Sequence, residues 1–98
     1  MAAYIIADVD VRNFTAYEAY KQGAAASIAR YGGRFIVRGG NHETLEGMWQ
    51  PSRLVIVEFP SVEVAKRWYA SEEYGKVKPI RQEHSVGHLV LVEGVEAA

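Results

Sequence analysis

Residues 46–74 read E-G-M-W-Q-P-S-R-L-V-I-V-E-F-P-S-V-E-V-A-K-R-W-Y-A-S-E-E-Y, and the spacing of their apolar side chains changes once. From Leu54 to Phe59 the run is apolar except for Glu58, as expected of a strand inside a sheet. Pro60 ends it, because proline has no amide hydrogen to give a ladder. Ser61 then stands at a helix cap, and Val62, Ala65, Trp68 and Tyr69 recur at three- and four-residue spacing, one face of a helix. A strand feeding directly into an amphipathic helix calls for a sheet with helices packed on it. Glu58 is the exception inside the strand, and a strand carboxylate is costly to bury without a partner.

The flanking sequence completes the pattern. Tyr4 to Val11 alternates, with Ile5, Ala7 and Val9 on one side and Tyr4, Ile6 and Asp8 on the other. Thr15 and Glu18 match a capping box, and Tyr17, Tyr20, Ala24, Ile28 and Tyr31 follow on one helical face. Gly32-Gly33 can stop that helix. Arg34 to Arg38 reads as a second strand, Gly39 to Ser52 as a long connection, and Arg53 to Phe59 as the third strand. Ser71-Glu72-Glu73 caps a short helix fading near Gly75 or Pro79, Val86 to Glu93 is the last strand, and Gly94 to Ala98 is a loose tail. The order strand, helix, strand, strand, helix, strand predicts one α+β domain over residues 1–98. It is a ferredoxin-like βαββαβ arrangement with a four-stranded antiparallel sheet in the order fourth, first, third, second.

Two helices cover one face of such a sheet. The more apolar set should meet them: Ile5, Ala7, Val9, Phe35, Val37, Val55, Val57, Phe59, Leu89 and Leu91. The other face carries Tyr4, Asp8, Arg34, Arg38, Glu58 and His88, together with Ile6, Ile36, Leu54, Ile56, Val90 and Val92. Those six aliphatic residues make an apolar patch of the kind that marks an interface, which predicts a homodimer through a two-fold axis. The connection Gly39–Ser52 has 14 residues, more than a tight hairpin needs. It is expected to fold over the sheet end with Leu45, Met48 or Trp49 buried as its anchor.

A formal net charge of −1 argues against a nucleic-acid binder, and Lys76, Lys78 and Arg81 are too few for a phosphate track. No cysteine is present, which excludes disulfides and thiolate chemistry and suits a reducing cytoplasm. No apolar run approaches the roughly 20 residues of a membrane helix, and the opening M-A-A-Y-I-I-A-D lacks the basic start of a signal peptide.

Four further motifs are Arg38-Gly39-Gly40, Glu46-Gly47-x-Trp49-x-Pro51-x-Arg53, Glu58-Phe59-Pro60-Ser61 and Trp68-Tyr69-x-Ser71-x-x-Tyr74. Together they resemble the family catalogued as domain of unknown function 1330. The resemblance implies the dimeric α+β barrel superfamily, in which two sheets face each other across a dimer. Relatives there include cofactor-independent monooxygenases, haem-degrading enzymes, lactone isomerases and ligand-binding domains. The family brings no established activity, and fold analogy does not supply one.

The candidate catalytic residues are Glu58, Arg38, Asp8 and His88. Glu58 reads either as half of a structural ion pair, with Arg34 opposite it in the neighbouring strand, or as a cleft carboxylate that moves a proton. Asp8 and His88 lie on adjacent strands and form either a carboxylate–imidazole pair for acid–base work or a sheet-surface contact. The candidate ligand-binding residues are Arg34, Trp49, Arg53, Trp68, Tyr74 and Arg81, aromatics and cations suited to an apolar pocket or an anion. His42, Glu43 and Glu46 fall in a loop without the second histidine of a metal-binding helix, so no metal is expected, and no cofactor. Two functions remain open. One is a cofactor-independent oxygenase or isomerase with a pocket between sheet and helices, Arg38 and Arg53 holding an oxygen and Glu58 acting as base. The other is a non-catalytic dimeric module for a small ligand or a protein.

Overall fold

The computed structural model describes residues 1–96; residues 97 and 98, the end of the tail expected to be loose, lie outside them. Strand β1 covers Ala3–Val11, β2 Arg34–Arg38, β3 Leu54–Phe59 and β4 Ser85–Glu93. Helix α1 covers Phe14–Arg30, α2 Val62–Tyr69, α3 Glu72–Gly75 and α4 Lys78–His84. The strands form one antiparallel sheet in the order β2-β3-β1-β4, as the sequence predicts.

The barrel implied by the resemblance is not formed. The sheet is open, with β2 and β4 as its two edges, and no pairing joins them among the described residues. Four strands are too few to curl round a packed interior, which takes about eight.

Local chemistry accounts for the element ends, with two corrections. Asn13 caps α1, its Oδ1 accepting from the Ala16 amide at 3.0 Å, so the expected Thr15 box is not used. Asparagine caps at least as well as threonine. Glu18 pairs with Lys21 at 3.1 Å instead. Gly32, at φ +76°, takes the left-handed turn after α1. Ser61 and Ser71 cap α2 and α3 as expected. Pro79 does not end a helix; it lies in the first turn of α4, where its missing amide costs nothing.

Ile5, Val57, Phe59, Ala24, Ile28, Ala65, Trp68 and Tyr74 form the core, with Phe35, Val55, Leu89 and Leu91 packed against it. Ala7, Val9 and Tyr17 make a second cluster beside it. Every helix-facing residue expected from alternation is in place except Val37. The reason is a bulge in β2. Arg34 pairs with Glu58 and Phe35 with Val57, but then Val37 pairs with Ile56 and Arg38 with Val55. Ile36 is the extra residue, and one inserted residue exchanges the faces of everything beyond it. Val37 therefore joins the open face, and Arg38 turns to the helix side.

The connection Gly39–Ser52 corrects another expectation. Leu45, Met48 and Trp49 are 84%, 97% and 61% exposed, so none anchors the loop by burial. Polar contacts hold it. Trp49 Nε1 donates to Asp8 Oδ2 at 2.8 Å, the Ser52 amide donates to Asp8 Oδ1 at 2.9 Å, and Thr44 Oγ1 donates to the Trp49 carbonyl at 2.7 Å. No helix is long and apolar enough to cross a membrane, and no cluster of three or more metal-ligating side chains occurs, among the described residues.

Candidate ligand cavity

A cavity of about 50 Å³ lies between the sheet and the helices. Its walls are Ile5, Ala7, Val9, Val55, Val57 and Leu89 from the sheet, and Ala24, Ile28 and Trp68 from the helices. Into this apolar shell project Tyr17, Tyr20 and Lys21 of α1, Arg38 from the end of β2, Arg53 before β3 and Arg81 of α4. No lining residue carries a carboxylate.

Each cation is placed by a specific local feature. The Ile36 bulge brings in Arg38, whose guanidinium lies 4.2 Å from the centroid of the Phe35 ring. Gly39, at φ +69°, leaves room for Arg53: a Cβ there would sit 2.9 Å from Arg53 Nε. Arg81 is buried, 7% exposed, and its Nε donates to Tyr74 Oη at 3.2 Å. Tyr74 in turn shares a 2.9 Å hydrogen bond with Tyr20. Burial and the neighbouring Tyr74 push the Tyr20 phenol well above its ordinary pKa, so it stays protonated at neutral pH. Burial also raises Tyr17. Among the described residues Arg38, Arg53 and Arg81 form no salt bridge, whereas Lys21 is paired with Glu18.

The candidate residues divide between two faces. Arg38, Arg53, Trp68 and Arg81 converge on the cavity, and Tyr74 stands behind it, fully buried. Glu58, Arg34, Asp8, His88 and Trp49 belong to the opposite side of the sheet. Glu58 Oε1 accepts from Arg34 Nε at 2.7 Å and Oε2 from Tyr4 Oη at 3.1 Å. The Arg34 hydrogen bond, then that of Tyr4, outweigh burial and hold the Glu58 carboxyl below its ordinary pKa. A carboxylate so engaged is a weak base, and it cannot reach the cavity through the sheet. The expected partnership of Glu58 with Arg38 and Arg53 is therefore not assembled.

Asp8 and His88 are directly opposed in the β1–β4 register. Both Asp8 oxygens, however, accept from the loop. The Trp49 hydrogen bond first, with the Ser52 amide, lowers its pKa despite burial. Asp8 thus anchors the loop. Tyr17, Tyr20 and Lys21 were missed as lining residues. The two tyrosines were legible as a core-facing helix face, and nothing in spacing distinguishes core from cavity wall.

The chain belongs to the family described as domain of unknown function (DUF1330), whose pattern matches residues 2–95. No curated protein matches it. Among solved structures it is similar to RPA0582 of Rhodopseudomonas palustris, a protein of unknown function: TM-score 0.77 and 20% identity, covering 98% of this chain and 84% of that one. SnoaB of Streptomyces nogalater, a cofactor-independent oxygenase, gives a TM-score of 0.70 at 15% identity over 98% of this chain and 95% of the other. A conserved protein of unknown function from Bacteroides thetaiotaomicron gives 0.61 at 23% identity, covering 95% and 97%. At these identities the likeness is one of fold.

Proposed function

We propose that the chain is a homodimeric, cytoplasmic small-molecule protein whose ligand lies in the cavity between sheet and helices. The observation that carries this is the convergence on an apolar pocket of two tyrosines and three arginines that form no salt bridge among the described residues, the composition of a ligand site rather than of a core. The activity we assign is cofactor-independent oxygenation of that molecule, supported by the fold shared with SnoaB. A non-catalytic binding role is the second reading. Its support is that the cavity presents no carboxylate or imidazole to take a proton.

Binding and chemistry are tested in turn. A panel of small organic compounds is screened by thermal shift against the wild type and Ala24→Leu, which puts a larger side chain into the cavity wall. Compounds of the cavity should lose their shift in Ala24→Leu and keep it in Glu58→Gln, across the sheet. Shifts indifferent to Ala24→Leu would count against the site. Dioxygen uptake on adding the bound compounds separates the two readings: consumption with product marks the oxygenase, and binding alone marks the module.

The dimer proposal rests on the face away from the helices. Ile36, Val90 and Val92 are 44%, 58% and 43% exposed there. The molecule is 17 Å along its shortest axis, so one sheet face has no second layer. Sedimentation at micromolar concentration should return twice the 10.9 kDa chain mass, and Val90→Glu should shift it to one. A wild type that sediments as a monomer refutes the dimer.

A further inference from the structure

Resting on the cavity reading above, we infer that the ligand is a small carboxylate with a compact apolar body, its charge taken by Arg81. The argument starts from desolvation. A buried cation without a counter-charge loses hydration that its surroundings do not return. Arg81 is only 7% exposed, and guanidinium stays charged at any ordinary pH. Its Nε meets only the Tyr74 phenol, a neutral acceptor. No aspartate or glutamate pairs with it among the described residues. Arg81 lines the cavity, so an anion there completes the pair, and a carboxylate matches the planar fork of an arginine.

The hydrogen-bond order around it points the same way. Arg81 donates to Tyr74 Oη, which leaves Tyr74 free to donate onward to Tyr20. Whichever phenol donates to the other, one hydroxyl hydrogen of the pair is left for a further acceptor. Arg38 and Arg53, less buried and also without a salt bridge among the described residues, add a positive field that favours an anion over its neutral form. The lining hydrocarbon selects an apolar body. A volume of about 50 Å³ has room for one or two waters at about 30 Å³ each, so the ligand is small.

The test uses isosteric pairs that differ only in charge. Formate is compared with formamide, and acetate with acetamide, by NMR titration of the full chain. The wild type should bind each carboxylate at least tenfold more tightly than its amide, with shifts centred on Trp68, Tyr20 and Arg81. Arg81→Met keeps the bulk without the charge, and there the preference should fall to within about twofold. Arg81→Lys keeps the charge without the fork, so the preference should persist at weaker affinity. Equal binding of acid and amide that is blocked by Ala24→Leu overturns the carboxylate inference and leaves the cavity reading standing. Binding of none of the four, or binding that ignores Ala24→Leu, overturns both. A preference that survives Arg81→Met overturns the role of Arg81.

Discussion

Replacing Ser27 with alanine should destabilise the protein far more than the loss of one oxygen suggests. Ser27 is buried in α1, where Oγ donates to the Ala24 carbonyl at 2.8 Å and accepts from Trp68 Nε1 at 2.9 Å. Trp68 is 2% exposed and packs on Phe59 and Tyr74, so its indole hydrogen has no water to turn to. Leaving that donor unsatisfied costs about 1–3 kcal/mol. Alanine returns about 0.5 kcal/mol in helix propensity. A net loss of about 0.5–2.5 kcal/mol follows, equivalent to a melting temperature lower by roughly 2–20 °C for a domain of this size. The decisive comparison is the same substitution in Trp68→Phe, which has no indole hydrogen to strand. There Ser27→Ala should cost less than about 0.5 kcal/mol, giving a coupling of about 1–2 kcal/mol between the two sites. Urea unfolding followed by far-UV circular dichroism, at one fixed protomer concentration, reads both values. An equal cost in the two backgrounds would refute the reasoning, because the stranded donor could not then be the cause. The consequence reaches function, since this hydrogen bond holds α2 against α1 where both wall the cavity.

Asp8→Ala should release the connection after β2. Hydrogen exchange at the Ser52 amide and the Trp49 indole should quicken while amides of β1 and β3 stay protected; unchanged loop exchange would show that the Asp8 contacts do not hold it. Glu58→Gln concerns acid stability. The Glu58 pKa is depressed in the folded state, so its contribution is present above the ordinary value of 4.5 and is lost as pH falls through the folded value. The wild type should therefore lose more stability than the variant across that window, and less so in 1 M salt, because Arg34 is largely exposed. Parallel curves for the two proteins would contradict the assignment.

Much of the fold could be read from the chain because its signals are local. Alternation in Ile5–Val9 and Val55–Phe59, the caps at Ser61 and Ser71 and the stop at Gly32-Gly33 each act within a few residues. Together they leave one arrangement of four strands. The pairing of Arg34 with Glu58 was legible for the same reason, since it lies before the bulge, where register can be counted from Phe59. Beyond Ile36 that counting fails. The sequence R-F-I-V-R alternates without a mark, and a bulge depends on what the partner strand and the cavity accept.

The site was therefore legible only in part. Residue types alone nominated Arg38, Arg53, Trp68 and Arg81, yet alternation put Arg38 on the wrong face, beside Glu58. The exposed loop residues Leu45 and Met48 show the same limit. Their apolar character suggested burial, but the polar side chain of Asp8, 41 residues before Trp49, is what fastens the segment. What the sequence determined by itself is the order of elements, their ends and most of the helix-facing layer, because dihedral preference and hydrophobic period operate between near neighbours. Tertiary structure alone decided that the sheet stays open, that Arg38 crosses to the cavity and that Arg81 is buried without an acid beside it among the described residues. Those outcomes depend on which distant side chains share a volume, and a guanidinium has the same letter in the sequence whether its neighbour is a carboxylate, a phenol or an unfilled space.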